Sequence, residues 1–170
     1  GFEGPLAFKV AQTLIDFEIS SIPFQAFVEI ERDGERVMLA RIGYTGEYGY
    51  KVFAPVNVAS SLWNELYEKV KAVKGGLCGN DALEIAMLEV RQPLQTRETR
   101  DLDVRSAGLE WLIDFGKEAY IGKESIDALM REKVGQQIVG FTAPKSATIM
   151  HNDRIMVEDQ EIGKVVIARY

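Results

Sequence analysis

The stretch from Gly43 to Lys51 holds the most unusual chemistry in this sequence. Gly-Tyr-Thr-Gly-Glu-Tyr-Gly-Tyr sets three glycines and three tyrosines in eight residues, and a lysine follows. Such glycines permit tight turns and close approach of backbone to a ligand. Tyrosine adds a flat apolar face with a polar tip. Glu47 contributes a carboxylate and Lys51 an ammonium, while Glu89 and Arg91 lie at the end of a segment with helical apolar spacing. Each has a plainer reading too: Tyr44 as a half-buried turn residue, Glu47 as a cap for its own loop, Arg91 as a solvated helix-end cation. Met87 lies on an apolar stripe with Leu83 and Val90, and Trp111 reads as core.

Other chemistries are excluded by composition. With one cysteine, Cys78, and one histidine, His151, the chain cannot form an internal disulfide, and a Cys/His metal site is not expected. No basic residue adjoins Cys78 in Gly-Leu-Cys-Gly to activate its thiol, so it reads as a small buried residue before a helix. His151 falls in a polar turn and reads as a surface residue. The net charge of −6 argues against a nucleic-acid scaffold, which would carry a basic stripe. No apolar run approaches the ~18–20 residues of a membrane span. A lone thiol fits a reducing, cytoplasmic setting.

The elements that would position these residues alternate in type. Pro5 with Leu6, Val10 and Leu14 predicts a helix over 5–17. Alternation from Phe24 to Glu31, the turn signal Asp33-Gly34, and Val37 to Ile42 predict a hairpin. Tyr50 to Ala54 reads as another strand. Ala59, Leu62, Trp63, Leu66, Tyr67 and Val70 predict an amphipathic helix ending at Gly75-Gly76. Asp81 with Glu84 resembles a capping box opening a helix to about Arg91. Residues 92–106 are polar and irregular. Trp111 to Phe115 reads as a strand and Lys123 to Lys133 as a helix. Beyond Gly135, Ile138 to Phe141, Arg154 to Val157 and Lys164 to Ile167 read as short strands of an all-β region.

Five stretches, in order, resemble the folate-binding aminomethyltransferase family, the T-protein of the glycine cleavage system and its relatives. They are Gly4-Pro5-Leu6-Ala7; Arg41-Ile-Gly-Tyr-Thr-Gly-Glu-Tyr-Gly-Tyr50; Gly76-Leu77 with Asp81 and Leu83; Ala107-Gly-Leu-Glu-Trp111 with Asp114-Phe115 and Tyr120-Ile-Gly-Lys-Glu124; and Glu161-Ile-Gly163. The resemblance implies an α+β fold, an antiparallel sheet with packed helices followed by the start of a β-barrel. Residues 1–134 would be the C-terminal part of the folate-binding domain, and 135–170 an incomplete barrel domain, with Tyr170 inside its strands. It implies tetrahydrofolate as cofactor, and a small-molecule substrate or a lipoyl carrier protein as partner. Tyr44, Glu47, Lys51, Glu89, Arg91 and Trp111 would be cofactor-binding candidates. No residue here matches the family's catalytic aspartate, which the family places upstream, so the chain alone is expected to be inactive.

Three departures qualify this. Lys51 stands where the family signature has the glutamate that accepts hydrogen bonds from the pterin, and an ammonium only donates. The arginine of the family's Arg-Leu-Glu-Ala-Gly helix falls on Met87 in one register and Glu84 in another. The branch that serves iron–sulfur maturation carries a cysteine where this chain has Ala119, so that branch is disfavoured. Two functions follow: a divergent one-carbon (aminomethyl or methyl) transferase, or a non-catalytic module that keeps the fold and binds a ligand or a protein.

Overall fold

Strands β2 (Phe27–Arg32) and β3 (Glu35–Ala40) form an antiparallel hairpin. Its turn residues Asp33 and Gly34 take positive φ, +51° and +78°, the conformation that matches the twist of the strands they join. β4 (Gly49–Phe53) pairs with β3, and β1 (Phe2–Glu3) with β4, giving the order β1-β4-β3-β2. The computed structural model describes residues 1–94 and 97–169. The expected barrel end at Tyr170, and part of the expected irregular stretch 92–106, lie outside the described residues.

Alternation decides which face is buried. Val28, Leu39 and Val52 stand in one row across the sheet and face the core; Phe27, Ala40 and Lys51 stand in the next and face outward. Helices α1 (Ala7–Gln12) and α2 (Val56–Ala72) supply the rest of the core. Ala7, Ala11 and Leu14 join Val58 and Leu62 around Val37, Leu39 and Tyr50. Val58, Leu62 and Leu66 recur every four residues, the spacing that keeps one helix face on the core. Trp63, expected on that face, is exposed.

Helix α2 ends before Gly75-Gly76. Lys74 takes the left-handed conformation, φ +61°, while the amides of Lys74 and Gly75 donate to the carbonyls of Lys71 and Val70. This is a Schellman closure with a lysine in the place usually held by glycine. Helix α3 (Asn80–Glu89) closes the same way: Arg91 has φ +58°, and Arg91 and Gln92 donate to Leu88 and Met87. At its start the cap is Gly79, with no side-chain cap bond. Asp81 is therefore a first-turn acid favoured by the helix dipole, and the expected capping box does not form.

The chain forms two units, Gly1–Gln92 and Pro93–Tyr170. The second holds helix α4 (Lys123–Leu129) and the hairpin of β5 (Arg154–Val157) with β6 (Gln160–Lys164). Glu158 and Asp159 turn that hairpin with positive φ at both positions. Arg105 closes the end of α4 by donating through Nη1 to the carbonyls of Leu129, Met130 and Glu132. Asp103 accepts from the Ser106 hydroxyl and from the amides of Ser106 and Arg105; these bonds hold its carboxyl below the ordinary range.

Several expectations fail in this unit. Trp111 to Phe115 is a short 3-10 turn (Glu110–Leu112) and irregular chain, and Ile138 to Phe141 forms no strand. The strand expected at Lys164 to Ile167 lies earlier, at Gln160–Lys164. Short apolar runs resemble strands, but without a ladder partner nothing holds them extended. Trp111, expected in the core, is 73% exposed.

Candidate functional site

The tyrosines of the glycine-rich stretch are divided among three tasks. Tyr50, the second residue of β4, faces inward, stacked on Phe2 at 5.7 Å, and burial pushes its hydroxyl pKa up despite the nearby Arg41. Tyr48 meets Phe8 of α1 edge-on at 5.4 Å. Tyr44, half-buried, is neither swallowed by the core nor wholly exposed. Among the described residues Tyr44 is the one of the three whose ring meets no other aromatic ring.

Two glycines allow the loop its shape. A Cβ on Gly49 would lie 2.4 Å from the Gly43 Cα, and one on Gly43 would lie 2.9 Å from both the Gly49 Cα and Glu3 Oε2. No side chain fits between such strands of backbone. The loop is then pinned by a residue far away in sequence. Oε2 of Glu3 accepts from the Tyr44 amide at 2.8 Å, the Thr45 amide at 3.0 Å and the Thr45 hydroxyl at 2.9 Å. Charge-assisted bonds of this kind are the stronger class. Glu47, expected to cap the loop, is exposed, and the capping carboxylate belongs to Glu3.

The tip of the loop leans on the end of α3. Gly46 has φ +76°, and a Cβ there would lie 2.9 Å from Val90 Cγ1. This contact sets the loop carrying Tyr44 and Glu47 beside the helix end that carries Glu89 and Arg91, both exposed. Arg91 is also the left-handed residue that closes α3, so its backbone serves the helix whatever its side chain does. Met87 is buried, as its stripe predicted.

Lys51 projects from the outer face of β4, and its Nζ lies 3.6 Å from the centroid of the Tyr44 ring. Such a contact is worth ~0.5–1 kcal/mol when exposed and ~2 when desolvated. Tyr44, Glu47, Lys51, Glu89 and Arg91 all belong to the first unit, and Trp111 belongs to the second. Sequence reasoning missed Glu3, which lies 41 residues from Tyr44 and whose role no local pattern announces.

Elsewhere, Cys78 is exposed, against the expectation of a buried thiol, because it lies in open loop ahead of Gly79. His151 is exposed as expected, with Nδ1 2.7 Å from the Val166 carbonyl. A polar cleft in the second unit is lined by Asp103, Arg105 and Ser106, which are already engaged in holding the chain. Among the described residues no group of His, Cys, Asp and Glu is arranged to hold a metal, and no helix is long and apolar enough to cross a membrane.

The profile of the GCVT N-terminal domain family matches residues 1–117. The chain is 27% identical over 170 residues to the aminomethyltransferase of Thermotoga neapolitana, covering 99% of this chain and 46% of that protein. It is 31% identical over 165 residues to the aminomethyltransferase of Halalkalibacterium halodurans, covering 96% and 45%. With the aminomethyltransferase of Alkaliphilus oremlandii it shares 30% over 168 residues, again covering 96% and 45%. The chain therefore belongs to the GCVT family, the glycine cleavage T-protein family, as a divergent member. It spans less than half the length of these relatives. The mixed fold of antiparallel sheets and helices is compatible with a domain of this family.

Proposed function

We propose that this chain supplies one wall of a tetrahydrofolate site in a one-carbon (aminomethyl or methyl) transferase. The observation that carries the reading is the Tyr44 loop: a family signature whose backbone is fixed by Glu3 and whose half-buried ring carries the Lys51 ammonium on its face. Flat heterocycles bind on aromatic faces with a few fixed polar groups around them. In this reading Tyr44 is the stacking wall, and Glu47, Glu89 and Arg91 offer polar contacts from the loop and the adjoining helix end. Trp111 is a further candidate, carried over by resemblance alone.

No acid or base in this chain is assigned to the chemical step. Folate-dependent transfer needs a group that assists attack by the folate nitrogen on the one-carbon unit, and positioning supplies much of the remainder. The chain's own residues would hold and orient the cofactor, and the chain alone is expected not to turn over. A lipoyl carrier protein as the source of the one-carbon unit, a cytoplasmic setting, and a domain boundary near 134 with a barrel beginning at 135 belong to the same proposal.

A second reading has its own support. By the resemblance, Lys51 and the buried Met87 stand where the family would hold a pterin carboxylate and, in one register, an arginine, which favours a binding module without catalysis. Calorimetric titration of the chain with tetrahydrofolate tests both. Binding by wild type that weakens about threefold to tenfold in Tyr44→Ala, the worth of a ~0.5–1.5 kcal/mol aromatic contact, supports the folate wall. Equal binding by the two proteins removes Tyr44 from the site. No binding by either favours the non-folate module.

A further inference from the structure

We propose that Lys51 makes the Tyr44 loop selective for a carboxylate, so that the ligand it takes is a small aromatic or heteroaromatic acid whose anion meets the Lys51 ammonium. The inference rests on the reading of Tyr44 as a ligand wall, and it deepens the second reading above, that of a binding module, by giving the wall a ligand other than tetrahydrofolate. Of the ten lysines in the chain, eight are exposed; Lys51 and Lys123 are the two that are half-buried. Lys123 has Asp127 as its counter-ion at 3.7 Å. Lys51 has no carboxylate within salt-bridge distance among the described residues, and its partner is the π face of Tyr44.

The acid on the neighbouring strand does not fill that role. Glu3 stands opposite Gly49, and one of its oxygens is taken up by three donors of Tyr44 and Thr45. The same bonds fix the backbone that carries Tyr44, so the ring stays beneath the ammonium. A cation withdrawn from water gains part of its lost hydration from a ring face. A carboxylate restores more of it through charge-assisted hydrogen bonds. An ammonium has only donors to offer, so a ligand that presents N–H groups there is refused.

The surroundings of Lys51 select an aromatic acid. Phe27, Ala40 and Lys51 form one row of the outer sheet face; Met38 and Phe53 stand in the adjacent row, whose third member, Glu29 on the far strand β2, pairs with Arg36 at 3.9 Å. Phe27 and Phe53 are both more than half exposed. Apolar side chains beside a cation suit a ligand with a flat apolar body and one anionic end.

Benzoate is the probe, with benzamide as its neutral counterpart and tetrahydrofolate titrated in parallel, all by calorimetry on the 170-residue chain. Wild type should bind benzoate at least tenfold more tightly than benzamide, with affinity falling as salt is raised. Lys51→Met should lose about tenfold for benzoate and still unfold cooperatively, its melting temperature lowered only by the lost contact with Tyr44. Lys51→Glu should lose benzoate binding and gain tetrahydrofolate affinity. Wild type that ignores benzoate, or binds benzoate and benzamide alike, overturns the inference without any variant being needed. Tight tetrahydrofolate binding that is indifferent to Lys51 also overturns it, while leaving the folate wall in place. Lys51-dependent benzoate binding, with tetrahydrofolate bound by neither wild type nor Lys51→Glu, upholds the inference and removes the folate reading.

Discussion

The two units carry similar numbers of exposed large apolar side chains but bury very different numbers of them. Among the described residues, twelve of the fourteen buried hydrophobic ones lie in Gly1–Gln92, and Ala107 and Val165 lie in Pro93–Tyr170. The second unit leaves Trp111, Leu112, Ile121, Val139, Phe141 and Ile162 more than half exposed. The cause is architectural. The first unit has a four-stranded sheet with helices on one face, while among the described residues the second has one seven-residue α-helix and a two-stranded hairpin. An isolated hairpin is marginal in water, and a helix of two turns has too few bonds to offset its nucleation. Hydrophobic content becomes stability only where there are elements long enough to enclose it. The Tyr44 loop, as it happens, is built on the unit that encloses its core.

The strongest way to break this comparison is to separate the units. Residues 1–92 expressed alone should unfold cooperatively, whereas 93–170 alone should bind a hydrophobic dye and show no sharp thermal transition. Trp63 and Trp111 report on one unit each by fluorescence. A cooperative transition in 93–170 would show that its sparse burial suffices, and the contrast would fall.

The same contrast explains what the sequence made legible. Helix α2 and the hairpin at Asp33-Gly34 have unbroken periodicity and a turn signal, and both appear near their expected limits. The Gly43–Tyr50 loop was legible because glycine and tyrosine at that spacing have few other uses. In the second unit the strand-like runs at 111–115 and 138–141 had no partner to pair with, and propensity without pairing decides little. Within the site, the pinning of Tyr44 was invisible because Glu3 acts across 41 residues, through a fold that brings β1 against β4. Lys51 was visible as an odd residue in a family signature, but its position over the Tyr44 ring was not. The helix ends fall near their expected limits, but the residues that close them, Lys74 and Arg91, hold a conformation that sequence reading assigns to glycine.

A smaller effect sharpens the comparison through pH, since the units should loosen at opposite ends of the scale. Bonds from Ser106 and Arg105 depress the Asp103 pKa below its ordinary 3.8, so the stability they add is present above that value and is lost as pH falls through the depressed one. Burial raises the Tyr50 pKa above its ordinary 10.0, so the unfolded chain ionises first and the first unit loses stability as pH climbs beyond 10.0. Acid should therefore first disturb the Ser106 resonances in a titration followed by NMR, and alkali the Tyr50 ring. Asp103→Asn should flatten the acid limb and Tyr50→Phe the alkaline one. Reversal of the order, with the first unit failing first in acid, would mean that other carboxylates govern the transition.

The smallest expected effect lies inside the first unit and separates helix closure from ligand contact. Lys74 and Arg91 both sit at positive φ as the closing residue of a Schellman motif, a conformation that costs an L-residue ~1–2 kcal/mol and glycine almost nothing. Lys74→Gly and Arg91→Gly should each stabilise the chain by about 1 kcal/mol, raising the melting temperature by ~4–8 °C for a domain of this size. Lys74 ends α2, away from any residue assigned to the ligand, so its variant should leave ligand binding unchanged. Arg91 stands at the helix end that meets the Tyr44 loop through Val90 and Gly46. If its guanidinium contacts the ligand, Arg91→Gly should gain the same stability and lose affinity, and Arg91→Lys should recover part of the affinity without the gain. Two glycine variants alike in both stability and ligand affinity would assign Arg91 to helix closure alone. The polar contacts of the site would then have to come from the loop itself.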